Sequence, residues 1–271
     1  MLCWGTLSVL AQGNSVLSQG DWYKCAVTND GIFRIDYNWL RSAGINPDQI
    51  DPRNIRIYGG AAGMLPQANS APRMQDLTEL AIFVSGEADG RFDRQDFLLF
   101  YGQGPDRLNY NLQKQMFSYQ NNLFTDKNFY FLTIASSAGK RLGQSESLTG
   151  SFPTVQDFDD FAFYENEKFN LLKSGREWFG EQFDNTLEAT VQFNISGILP
   201  NTPIRFASHV MAQSITDCSF KVFFNNIELA SQPIAAVPNS TYAIKGRKVG
   251  DTLLINSTNF QASSRSTQDI K

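Results

Sequence analysis

A chain that attacks a peptide or ester bond needs a nucleophile and a base within reach of one another. This one, of 271 residues, offers one histidine, His209, and three cysteines, Cys3, Cys25 and Cys218. Pairing His209 with Cys218 is the arrangement that could generate a thiolate, and the neighbourhood argues against it. In the alternating run 204–211, His209 falls on one strand face with Arg205, Ala207 and Met211, opposite Phe206 and Val210. No nucleophile elbow, oxyanion loop or helix N-terminus lies near Cys218 to lower its pKa. Cys25 sits within an apolar strand pattern and reads as a small buried hydrophobe. A zinc site of the usual kind needs three or four His or Cys ligands, and no CxxC or HExxH spacing occurs. We therefore assign no catalytic and no metal-ligating residue.

Three further segments have unusual chemistry. Gly59, Gly60 and Gly63 follow a strand pattern, as the glycines of a phosphate-binding loop do. A dinucleotide fingerprint also needs a helix opening from the glycines and an acidic residue about twenty positions on. Pro66 and Pro72 preclude a long helix here, so the segment reads as a turn that lets backbones approach, and no cofactor-binding residue is assigned. Asp89, Asp93 and Asp96 gather three carboxylates, the ligands hard cations prefer. The EF-hand order is not met, and carboxylates capping local amides account for them. In 174–181, two glycines bracket a charged pair and two aromatics. Either Trp178 and Phe179 anchor into a core while Arg176 pairs with Glu177 or Glu181, or Arg176, Glu177, Trp178 and Phe179 form a docking surface. These four are the candidate interdomain contact.

The elements that must position these residues are mostly strands. Hydrophobic residues make up 42% and aromatics 13%, while charged residues are only 18%. Such a chain can bury a substantial core, favours β-rich packing and does not fit a disordered one. A net charge of −4 leaves no basic stripe and excludes nucleic acid as a partner. Residues 1–12 form a short apolar run that resembles the back half of a secretory signal peptide without its basic start, so export is expected. The run is too short to span a bilayer.

Residues 22–28 and 32–35 read as strands joined at Asn29, Asp30 and Gly31, predicting a β-hairpin. Asp36 predicts a cap for a helix over 37–43, ended by Gly44. Further strands are expected at 55–58 and 129–134, with apolar stretches at 80–84 and 97–101 between them. The Ser/Gly-rich stretch 136–154 reads as a linker or exposed loop, and 155–172 fits either a short helix or a strand. Beyond it, 189–195, 204–211, 219–224 and 252–256 alternate cleanly, with a hairpin turn at Asn225 and Asn226. No closing strand is visible at 269–271. The expected fold is mainly β: a mixed N-terminal β-rich domain with short helices, then an antiparallel β-sandwich of jelly-roll or Ig-like kind. The expected divisions are 1–12 as a partial signal peptide, 20–140 as the first domain and 155–271 as the sandwich, cut short at its C-terminal end.

Several of these runs together resemble a known family. They are the stretch from Trp22 to Tyr37, Ile55 to Gly60 with Gly63 to Pro66, Asp89 to Pro105, Asn128 to Thr133, and Ser174 to Glu181. In that order they are similar to the N-terminal region of the type IX secretion sortases, gingipain-like cysteine peptidases, over residues 20–271. The resemblance implies a large secreted, cell-surface protein at the outer membrane. In it a β-rich region precedes a caspase-like domain with a His–Cys dyad. That enzyme removes C-terminal sorting domains from secreted cargo and joins the cargo to lipopolysaccharide. No position here matches the dyad, and His209 and Cys218 precede the family's catalytic region. The expected function is a non-catalytic region that positions or restrains its own downstream catalytic domain. Its other expected partners are type IX secretion components and secreted cargo. The rival readings are a stand-alone β-sandwich binding carbohydrate or protein, and a self-contained cysteine peptidase using Cys218.

Overall fold

The computed structural model describes residues 15–171, 173, 177–256 and 267–270, the stretches 251–256 and 267–270 by their backbone alone. The expected leader 1–12, with Cys3, and Arg176 lie outside the described residues. The chain divides into two compact units. The first takes the chain up to Asn109 together with Ser118–Phe152; the second takes Tyr110–Phe117 and the chain from Pro153 onward.

The first unit is built on two antiparallel sheets. One orders β1 (Tyr23–Val27), β9 (Asn128–Ile134), β3 (Ile55–Gly59) and β4 (Thr78–Leu80) as β1-β9-β3-β4. The other orders β2 (Gly31–Asp36), β6 (Phe97–Gly102) and β5 (Phe83–Ser85) as β2-β6-β5. Residues from both sheets make one core: Val27, Ile55, Ile57 and Leu132 from the first, Ile35, Val84, Leu98 and Phe100 from the second. Ile55, Ile57, Leu98 and Leu132 are fully enclosed, and each contributes about 1.5–3 kcal/mol relative to exposure. The α-helix α1 (Tyr37–Ser42) starts where the sequence predicts, with Asp36 Oδ1 accepting from Trp39 N at 3.0 Å. It ends at Gly44, which takes the left-handed φ of 84° that only glycine adopts without strain.

Two expectations need correction. The predicted hairpin at 29–31 does not form: β1 pairs with β9 and β2 with β6, so the chain changes sheets there. A two-residue hairpin turn needs positive φ at its centre, which Asn29, Asp30 and Gly31 do not adopt. Asp30 instead accepts from the distant Gly104 N at 2.7 Å. The apolar stretch 80–84 holds the ends of two strands, β4 and β5, in different sheets. Ile82 between them bridges to Arg141 in parallel. At the C-terminus, a strand does close the chain: β15 (Thr267–Ile270) pairs antiparallel with β10 (Val191–Asn194) and meets Phe224.

The second unit is also antiparallel. Its larger sheet orders β10-β15-β12-β13, with β12 Cys218–Phe224 and β13 Ile227–Ile234. A second, two-stranded sheet pairs β11 (Pro203–Ala212) with β14 (Arg247–Asn256). Ser208 Oγ on β11 donates to Gln232 Oε1 on β13 at 2.9 Å, which satisfies an amide that is otherwise enclosed. Asn225 and Asn226 turn β12 into β13 with φ of 47° and 66°, the mirror-image turn expected of that pair. A hairpin from the middle of the chain, β7 (Arg107–Asn111) with β8 (Met116–Gln120), supplies the unit's residues 110–117. The stretch 155–168 is neither helix nor strand. Across the described residues the protein is mainly β, its one α-helix being α1. No helix among them is long and apolar enough to cross a membrane.

Candidate functional site

The singled-out residues fall in three places. Cys25 lies in β1, its thiol donating to Tyr130 O at 3.4 Å. Burial pushes its pKa up to about 11, against the opposing backbone bonds. A thiol held neutral in this way is a poor nucleophile. His209 is exposed on β11, opposite Gly250, whose missing side chain leaves room for the imidazole: a Cβ there would lie 2.6 Å from Nδ1. Cys218 opens β12 in the other sheet of the same unit, and among the described residues no hydrogen bond joins it to His209. Two strands in separate sheets hold these groups, without the linked nucleophile and base that covalent catalysis uses.

The glycine loop after β3 serves close packing. A Cβ at Gly59 would meet the Tyr130 ring at 2.5 Å, and one at Gly63, where φ is 82°, would meet Arg107 at 2.6 Å. Residues 61–66 form no helix. Two of the three aspartates, Asp89 and Asp96, do the local capping that their spacing suggests. Asp89 Oδ1 accepts from Arg91 N at 2.9 Å and Asp96 Oδ2 from Asp93 N at 2.7 Å. Asp93, Arg94 and Asp96 border an open cleft of about 560 Å³ with Tyr37 and Asp48. The Tyr37 hydroxyl donates to Asp48 at 2.9 Å, and Arg94 lies over the Tyr37 ring at 5.7 Å. Among the described residues, no group of three His, Cys, Asp or Glu side chains is placed to hold a metal ion.

The segment around Trp178 is the most elaborated surface feature. Phe179 and Phe169 exchange backbone hydrogen bonds of 2.8 Å each, an isolated antiparallel bridge. Gly180 lets the strands close, since a Cβ would come within 3.1 Å of Asn166. Glu181 accepts from the Tyr164 hydroxyl at 2.5 Å and from Lys168 Nζ at 3.1 Å. Burial pushes the Glu181 carboxyl up, but those two bonds outweigh it and hold it below its ordinary value. The hydrogen bond to Glu181 raises both Tyr164 and Lys168. Glu177 is engaged by Lys248 on β14. Among the described residues, Glu177 and Glu181 thus each meet a lysine. Trp178 remains 38% exposed.

An aromatic cluster that sequence reasoning missed adjoins this chain segment in the same unit. Phe117 lies 4.9 Å from Tyr110 and 5.1 Å from Phe161, and Phe161 stacks on Phe163 at 6.4 Å. Tyr110 donates to Asp159 at 3.5 Å, and Arg205 on β11 donates to Gln115 at 2.7 Å. The signal was the aromatic spacing in 109–122 and 158–164, but nothing in either run names the other as its partner.

These features define a mainly β, antiparallel region with an aromatic surface and no assembled catalytic pair among the described residues. The fold is similar to part of a known one, in the crystal structure of dimeric latent PorU from Porphyromonas gingivalis, with a TM-score of 0.64 and 23% sequence identity. The match covers 94% of this chain and 23% of the PorU chain, so this chain spans about a quarter of that protein's length. At that identity the likeness is one of fold. No protein-family model matches the chain, and no curated protein matches it in sequence.

Proposed function

We propose that this chain is the N-terminal, non-catalytic region of a PorU-like sortase of the type IX secretion system. The observation that carries the reading is the fold match, which spans nearly all of this chain and a minor part of PorU. The ordered sequence motifs that resemble the same family point the same way. The sortase would be exported to the cell surface, remove C-terminal sorting domains from secreted cargo and attach the cargo to lipopolysaccharide. The two β units would pack on the caspase-like domain that follows and position or restrain it. The PorU of known structure is a latent form, which suits restraint. Arg176, Glu177, Trp178 and Phe179 are the proposed contact with that domain, and cargo and the other secretion components are the proposed outer partners.

The test is enzymatic. The purified chain, incubated with a fluorescent sorting-domain peptide, should neither hydrolyse nor transfer it, and an active-site thiol probe should leave Cys218 unlabelled. Labelling lost on Cys218→Ala, together with turnover, would overturn the reading in favour of a self-contained peptidase. Retardation of the chain in gels cast with polysaccharide would instead favour a stand-alone carbohydrate-binding module.

A further inference from the structure

Every residue from 142 to 165 is exposed. Among the described residues, no backbone-to-backbone hydrogen bond outside regular strands is made between Leu142 and Lys168. The stretch is fastened only at its ends. On the near side, Leu142 N donates to Ile82 O at 2.9 Å. The Arg141 guanidinium there binds Glu87 at 2.8 Å and the carbonyls of Pro52 and Arg53 at 2.9 and 2.8 Å. On the far side, contacts resume at Asp159 and Phe161. Among the described residues, 143–157 find no hydrogen-bond or ion-pair partner. A loop this long without structure is uncommon in a compact protein, and exposed, unpaired chain is what an endopeptidase draws into its active site.

The composition of this stretch restricts which enzyme could cut it. No Lys or Arg occurs between Arg141 and Lys168. Phe152 is followed by Pro153, whose missing N–H and fixed ring resist most peptidases. The bonds after Glu146, Leu148, Val155 and Asp157 remain, and Leu148 and Val155 are 83% and 80% exposed. We infer that residues 143–157 are a processing site for an endopeptidase that selects acidic or large apolar residues, and that the cut leaves the two pieces bound together. Hydrolysis adds water across one peptide bond, giving a new carboxylate, for instance on Glu146, and a new amino group on Ser147. None of the anchors described above is lost. Residues 110–117 precede the cut yet pack in the second unit through Phe117–Phe161, Tyr110–Asp159 and Gln115–Arg205. They hold the downstream piece noncovalently.

Limited digestion of the full chain tests this. Glutamyl endopeptidase should cut first after Glu146. The two fragments should co-elute from a sizing column in native buffer and separate in concentrated urea. Trypsin should spare the stretch in the native chain and cut it rapidly in Ser147→Arg. Nicked Phe117→Ala/Arg205→Ala should lose co-elution. A first cut elsewhere, or no gain of tryptic cleavage in Ser147→Arg, would overturn the processing site. Separation of the wild-type fragments in native buffer would overturn the clamp.

Discussion

At the scale of single residues, the fold quiets some groups that look reactive in the sequence and leaves others, His209 among them, exposed. Cys25 is the sharpest case. With its pKa near 11 in the folded chain against a usual 9.0, the neutral thiol is favoured. The associated stability is fully present below pH 9.0 and is lost as pH rises through about 11. Iodoacetamide at pH 8 should therefore modify Cys25 roughly a hundredfold more slowly than an unperturbed thiol, with the difference abolished in urea. Fast labelling of folded Cys25 would contradict the burial. Gly59 is quiet for a steric reason: Gly59→Ala must displace the Tyr130 ring, whose hydroxyl accepts from Gln103 N at 2.6 Å. The expected cost is about 1–3 kcal/mol in urea denaturation. The clasp at Glu181 gives a pH dependence of the opposite sign. Its carboxyl is held below 4.5, so the clasp is intact above pH 4.5 and opens as pH falls through the lower folded value. The protection of the Phe179 amide, which bonds to Phe169, measured against its intrinsic exchange rate at each pH, should fall over that range and show no such step in Glu181→Gln.

At the scale of elements, what was legible was local. Asp36 and Gly44 bracket α1 because a cap bond and a left-handed φ depend on residues three or four apart. Asp36→Ala should cost about 1 kcal/mol. The Asn225–Asn226 turn was legible for the same reason, both residues taking positive φ between paired strands. Asn226→Val should lower the melting temperature, at a cost of about 1–2 kcal/mol, while Asn226→Gly should not. What was not legible was strand partnership. The run 22–35 has the alternation and the Asn-Asp-Gly sequence of a hairpin, yet its two strands pair with segments far along the chain. Apolar alternation specifies which face is buried and says nothing of which edge is met. The same gap hid β15, which pairs along β10 and meets β12 at Ile270. In the candidate surface, the bridge between Phe169 and Phe179 and the capture of Glu177 by Lys248 join residues that no spacing rule connects.

At the scale of the whole molecule, there are two antiparallel β units, the second carrying an aromatic cluster, and the fold resembles about a quarter of the PorU chain. The central proposal is that these units serve a downstream catalytic region by contact, through the segment around Trp178. It is tested most directly by isothermal titration of this chain against the caspase-like region of a PorU-type sortase expressed without its own N-terminal part. The account predicts saturable one-to-one binding that Trp178→Ala with Phe179→Ala weakens at least tenfold, which is about 1.4 kcal/mol. Absence of binding, or binding indifferent to both substitutions, would contradict it.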